Sequence, residues 1–140
     1  VGVIVVCQET CCVNRLTQWE FALCNFRPDS AHVLGDDDSQ WSPHAQVTKI
    51  GNISELPNDH AFVVLAPANG TNIAGDESLV DFTHPTDVIY FFGSDAQHVE
   101  QGDLDRVIDH KVYVPNDSND QMFSFTAYVV TAWDRRMKAT

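Results

Sequence analysis

Apolar residues fall along this chain in two rhythms. Continuous runs at residues 1–6, His60–Leu65 and Val88–Phe92 are rich in β-branched and aromatic side chains, as expected of strands buried on both faces. Ala31–Leu34, Gln46–Ile50 and Lys111–Val114 read as shorter strands, the first of them stopped by Gly35. Cys12, Leu16, Trp19, Leu23 and Phe26 instead recur at spacings of three and four, the stripe of an amphipathic helix. Thr10 can cap that helix. Pro28 ends it, because the residue before a proline is pushed out of the α region. The last helix, Met122–Met137, is apolar almost all round as far as Trp133, which predicts burial on several sides, against a sheet and a partner. A short helix is expected at Asp76–Phe82, and single helical turns at Asn52–Pro57 and Asp103–Val107. Strands alternating with helices predict an α/β fold, a mostly parallel sheet flanked by helices on both faces. With 140 residues and no linker or repeat, one domain spanning residues 1–140 is the expectation.

Composition narrows the function classes. Twenty acidic residues against eight basic give a formal net charge of −12. Such a field repels phosphate backbones, so a nucleic-acid partner needs a local basic patch or a partner subunit. No apolar run approaches the roughly 18–20 residues of a membrane span, and none is expected to contact a membrane. Residues 1–6 lack the basic flank of a signal peptide and read as a strand. Cys7, Cys11, Cys12 and Cys24 all lie in the first 24 residues. A disulfide framework spreads its cysteines further, and no second ligand pair for zinc is present. Four reduced thiols in a cytoplasmic protein are therefore expected. Asp36-Asp37-Asp38 reads as a solvated loop, since adjacent carboxylates cannot all converge on one ion. The six histidines are scattered, and no metal is expected. There is no Walker loop, no G-x-G-x-x-G after a strand and no G-x-S-x-G, which argues against the common phosphate cradles and serine hydrolases.

Three strand ends carry the candidate chemistry: Leu65-Ala-Pro-Ala-Asn-Gly70, Phe91-Phe-Gly-Ser-Asp95 and Val112-Tyr-Val-Pro115. Unpaired backbone groups at the carboxyl ends of parallel strands make ligand sites in α/β proteins. Their order, with Phe92-Gly93-Ser94-Asp95, Val114-Pro115 and Trp133-Asp134, resembles the SPOUT family of trefoil-knotted, S-adenosylmethionine-dependent RNA methyltransferases, particularly the ribose 2′-hydroxyl branch. The N-terminal strand and helix with Asn14 and Arg15 resemble the family's opening motif loosely.

The resemblance implies a C-terminal trefoil knot, which general topology rules make very rare. It implies a homodimer paired through the knot helices and a tRNA or rRNA substrate. It also implies a bent S-adenosylmethionine in a slot formed by Leu65, Ala66, Pro67, Gly70, Phe92, Gly93, Ser94, Val112, Val114, Pro115 and Phe123. Arg15 then falls to the activation of the ribose hydroxyl, with Asp95 and Ser124 positioning the substrate or the loop. The chain departs from the family pattern in three places. Asn14 is followed at once by Arg15, so the family's downstream arginine position falls near Glu20 or Phe21. Asp95 replaces a glutamate, and Phe123 stands where an asparagine is usual. Arg15 and Arg27 are the only basic residues of the first 48, and either can move a proton or hold a phosphate. Two alternatives stay open: a SPOUT-like dimeric binding or scaffold protein without catalysis, and an unrelated Rossmann- or flavodoxin-like nucleotide binder.

Overall fold

The computed structural model describes residues 2–8, 15–35, 40–93, 99–118 and 122–139. Thr10, Asn14, the aspartates 36–38, Ser94 and Asp95 lie outside the described residues. The strands are β1 (Val3–Gln8), β2 (Ser30–Leu34), β3 (Val47–Ile50), β4 (Ala61–Leu65), β5 (Glu77–Ser78), β6 (Val88–Phe92) and β7 (His110–Tyr113). They form one sheet in the order β3-β2-β1-β6-β4-β7-β5, parallel at every pairing. The described residues add two α-helices, α1 (Leu16–Asn25) and α2 (Ser124–Lys138).

Several expected boundaries move for local reasons. Gln46 has φ 54° and so stands outside strand geometry, leaving β3 to begin at Val47. The short helix expected at Asp76–Phe82 does not form. Asp76 N–H donates to Lys111 O at 2.9 Å, and Glu77 pairs with Val112. Strand pairing therefore wins, leaving only a 3₁₀ turn at Leu79–Asp81, whose Val80 N–H is capped by Ser78 Oγ. The turn expected at Asp103–Val107 lies earlier, at Gln101–Asp103.

Strand alternation divides the core in two. Val5, Val63, Leu65, Val88, Tyr90, Phe92 and Val112 face α1 and α2. Ile4, Val6, Phe62, Val64, Ile89 and Phe91 face the other way, onto Ile53, Leu56, Val99 and Leu104. Among the described residues both α-helices thus lie on one side. The opposite side carries 3₁₀ turns and loops among the described residues, where helices on both faces were expected. The segments 51–60 and 99–109 are short and broken by Gly or Pro or lack a 3.6-residue stripe, so they cover the sheet without forming α-helix.

On the helical side Trp19, Phe92 and Tyr128 bind α1, β6 and α2 together. Trp19 is fully buried, stacks on Tyr128 with centroids 5.8 Å apart and meets Phe92 edge-on at 5.8 Å. Phe92 and Tyr128 close the triangle at 5.6 Å. Only one face of α2 is buried, at Ser124, Ala127, Tyr128 and Thr131. Phe123 beside it, and Val130, Trp133 and Met137 along it, remain exposed. The all-round apolar character of α2 therefore yields one packed face and one exposed stripe. Cys7 is disulfide-bonded, contrary to the expectation of four reduced thiols, and Cys24 is free and exposed.

The C-terminal end of α2 is tied to the sheet by polar contacts. Asp134 Oδ2 sits 2.7 Å from His84 Nε2, and His84 Nδ1 sits 2.6 Å from Tyr90 Oη. Arg135 donates to Tyr90 Oη, Pro85 O and Thr86 O, while Lys138 donates to Leu79 O and Phe82 O. The His84 side chain is only 5% exposed. Burial holds its pKa below the ordinary value of 6.5, outweighing the hydrogen bond to the Asp134 carboxylate, and Lys138 and Arg135 push the same way. A neutral ring then donates from Nε2 to the carboxylate and accepts the Tyr90 proton at Nδ1.

Because the folded value lies below the unfolded one, the unfolded chain binds more protons as pH falls past about 6.5. The stabilisation linked to His84 is complete above that pH and declines below it. Urea unfolding of wild type and His84→Gln between pH 8 and 5.5 is expected to show the steeper loss in wild type. Equal slopes would contradict a neutral buried His84.

Candidate functional site

The carboxyl ends of the central strands lie level. Cys7 pairs with Phe92, Phe92 with Leu65, Leu65 with Val112, and Val112 with Glu77. The chain leaving β1 runs to β2 on one side, while the chain leaving β6 runs to β7 on the other. Such a reversal of direction marks the usual place for a ligand in a parallel α/β fold.

The three sequence-predicted strand ends meet there. Ala66 N–H donates to Val112 O at 2.9 Å, fixing the start of the β4 loop against β7. Pro67 O then accepts from both Gly70 N–H and Gly75 N–H, each at 3.0 Å. The loop must cross the end of β7 to reach β5, and it does so in close contact. A Cβ on Gly75 would lie 2.6 Å from Ala66 O and 2.8 Å from Tyr113 Cβ; one on Gly70 would lie 2.1 Å from Ile73 O. Gly70 was legible as a loop glycine. Gly75 is the residue that sequence reasoning passed over, although its spacing after Gly70 in a run of small residues marks a second tight approach.

Leu65, Phe92, Val112 and Val114 turn their side chains into the helical-side core, and Ala66 turns to the opposite one. Pro67 and Gly93 are buried with them, whereas Pro115 is exposed. Asn116 Nδ2 donates to Val114 O at 3.0 Å, and Asn116 Oδ1 accepts from Ser118 N–H at 2.8 Å, so the chain turns immediately after β7. None of the slot residues carries a charge. Among the described residues no three His, Cys, Asp or Glu side chains converge as metal ligands.

The start of α2 closes this end. Ser124 is fully buried, and its Oγ donates to Gly93 O at 2.8 Å. Phe123 precedes it, 44% exposed and stacked on Phe125. Arg15, the residue before α1, places its guanidinium carbon 4.6 Å from the centre of the Phe123 ring. Arg15, Phe123, Ser124 and Gly93 thus come together, with the electropositive N-termini of both helices at the same edge. Glu20, by contrast, accepts from Ser42 N–H, and Phe21 points to solvent, so neither supplies a downstream cation. Arg27 follows the opposite end of α1 and is not part of this group.

No protein-family model matches the chain, and no curated protein matches it in sequence. Solved structures do match it over its whole length. One, described as giving structural insights into the 2-OH methylation of C/U34 on tRNA, is 12% identical with a TM-score of 0.75, covering 98% of this chain and 90% of that one. TrmJ from Z. mobilis ZM4 is 16% identical with a TM-score of 0.70, covering 100% and 70%. The SpoU methyltransferase AviRb from Streptomyces viridochromogenes, solved in complex with AdoMet, is 10% identical with a TM-score of 0.74, covering 98% of this chain and 58% of that one. The chain has the fold of the SpoU-type RNA methyltransferases. An unrelated flavodoxin-like arrangement is thereby set aside. At these identities the likeness fixes the path of the chain, and its side chains stand on their own geometry.

Gly75→Ala is expected to destabilise the domain by about 1–3 kcal/mol, because a new methyl group meets backbone atoms that cannot yield. Ala74→Gly, one residue earlier, serves as the control. A Gly75→Ala midpoint in urea equal to that of wild type would show that the loop does not press on β7.

Proposed function

We propose that this domain binds S-adenosylmethionine at the ends of β4, β6 and β7 and transfers its methyl group to a ribose 2′-hydroxyl of tRNA or rRNA, in the cytoplasm. The observation that carries the reading is the level edge of strand ends, closed by the Ser124–Gly93 bond and faced by Arg15, within a SpoU-type fold. A buried, uncharged wall rich in backbone groups suits an adenine edge, which needs N–H and C=O partners in an apolar slot. When bound, S-adenosylmethionine supplies an electrophilic methyl group on a sulfonium.

The protein's own task is to align the nucleophile and ease the loss of its proton. A C–O bond forms at the ribose oxygen, the methyl C–S bond breaks, and the hydroxyl proton passes to solvent. Arg15 is always charged and cannot act as a base, which removes the proton-moving role that its sequence position suggested. Its contribution is electrostatic: a guanidinium beside the ribose oxygen stabilises the developing negative charge. Phe123 holds that guanidinium against its ring face. Ser124 acts as a positioning residue, fixing the first turn of α2 on Gly93, and Asp95 remains proposed for substrate or loop placement.

The threaded C-terminus belongs to this proposal. It is supported by the β4–β5 connection, which crosses the end of β7 beside the chain that leaves it. Homodimer formation belongs to it as well. Phe123, Val130, Trp133 and Met137 follow one another along α2 at spacings of seven, three and four, with Phe21 exposed on α1. That is an apolar stripe of the kind a second copy covers.

One observation favours the alternative of a non-catalytic dimeric scaffold: Arg15 rests on Phe123, where a polar residue would leave it free to turn toward substrate. Calorimetric titration with S-adenosylhomocysteine is expected to give one site per chain, and absence of heat at millimolar ligand would overturn the cofactor reading. Labelled methyl transfer to bulk tRNA and rRNA separates enzyme from scaffold. Incorporation that drops at least a hundredfold in Arg15→Ala, with cofactor affinity retained, is the expected result. For the dimer, light scattering of Trp133→Glu is expected to show monomer where wild type shows twice the chain mass.

A further inference from the structure

A pocket lies along α2 from Tyr128 to Ala139, roughly 6–23 Å along the helix from Ser124. It encloses about 210 Å³ between Phe26, Arg27, Tyr128, Thr131, Arg135 and Arg136, beside the start of β1. Its position away from the strand carboxyl ends separates it from the methyl-donor slot proposed above.

Three features of this pocket converge. Charge is the first: Arg27, Arg135 and Arg136 are three of the eight basic residues of a chain whose net charge is −12. None of the three is in a salt bridge among the described residues. Arg27 donates to Ala45 O and His44 O, and Arg135 to Pro85 O, Thr86 O and Tyr90 Oη, all of them neutral acceptors. Arg136 lies over the Phe26 ring at 4.9 Å. Of the neighbouring carboxylates, Asp134 is paired with His84 and Lys138, while Asp29 accepts from Val3 N–H at the pocket's edge and keeps its charge.

The second feature is an orphaned hydroxyl. Thr131 lines the pocket, is 1% exposed, and its Oγ1 has no hydrogen-bond partner. A buried polar atom without a partner costs stability unless a ligand meets it. The third is the wall itself. The phenol of Tyr128 donates to Phe26 O, leaving ring faces and aliphatic surface to line the interior.

Guanidiniums at the rim, one hydroxyl donor within and apolar rings between them match a tetrahedral anion carried on a flat organic body. We propose that this pocket binds the phosphate of a nucleotide. The arginine forks take the phosphate oxygens, and the Thr131 hydroxyl donates to the same group or to the sugar beside it. The nucleotide comes from one of two sources, a unit of an RNA chain or a free mononucleotide.

Fluorescence anisotropy with a labelled ten-nucleotide RNA, and calorimetry with adenosine monophosphate, test the proposal on wild type, Arg136→Gln and Thr131→Val. Arg136 is exposed and holds no backbone carbonyl among the described residues, so its loss leaves the fold intact. Thr131→Val removes only the orphaned hydroxyl and is expected to leave the urea midpoint level or raised, where a structural hydroxyl would lower it. About tenfold weaker binding is expected in Arg136→Gln, and a smaller loss in Thr131→Val. Mononucleotide binding that follows the variants identifies a free nucleotide, and RNA binding alone that follows them identifies the chain. Equal binding of both probes by all three proteins, or no binding at all, overturns the proposal. S-adenosylhomocysteine titrated into the same samples reports the methyl-donor slot separately, so a failure of that reading is not mistaken for a failure of this one.

Discussion

The contact of Trp19 with Phe92 and Tyr128 is the constraint on which the rest depends. It joins the only two α-helices among the described residues to the central strand β6, with every ring-to-ring distance under 6 Å. With the helices locked at mid-length, their N-termini are carried to the same edge of the sheet. That is why Arg15 reaches Phe123 and why Ser124 lies within hydrogen-bond distance of Gly93. A different packing angle of either helix would leave these groups apart. The proximity at the candidate site is therefore inherited from the aromatic core.

The polar attachments divide the labour differently. Asp134, His84, Tyr90 and Arg135 form a connected set between α2 and the sheet, and the pKa of Tyr90 is raised by burial despite the arginine donor beside it. Burial likewise pushes Tyr128 far up. Both phenols thus stay protonated across any ordinary pH and act as fixed donors. The acidic member of the Trp133-Asp134 pair has a clear local partner in His84, which the sequence alone did not reveal because the two are 50 residues apart.

Much of the fold was legible because it rests on local pattern. The β-branched and aromatic runs became strands, and the stripe through Leu16, Trp19 and Leu23 became α1. Glycine and proline at Leu65–Gly70, Phe92-Gly93 and Val114-Pro115 marked strand ends that the sheet does bring level. What was not legible depends on pairing between distant segments. Nothing within Asp76–Phe82 announces that Glu77 will pair with Val112, so helix was the natural reading and strand the outcome. Gly75 likewise owes its importance to Tyr113, and the pairing of Arg15 with Phe123 spans most of the chain. The apolar surround of α2 was visible, but which half faces the sheet was decided by the position of Tyr128.

The level register of β1, β6, β4 and β7 has a consequence for how such a chain tolerates change. β1, β6 and β4 are buried on both faces, β7 buries Val112 on the helical side, and side-chain direction alternates along each strand. Inserting or deleting one residue inside β4 or β7 would exchange the two cores for that strand, turning Leu65 or Val112 away from the helices and displacing the edge by about 3.3 Å. The same insertion in the connections at 51–60 or 99–109 leaves the edge where it is. Length variation in this architecture is therefore confined to the loops, and the strand lengths act as the ruler that sets the height of the site.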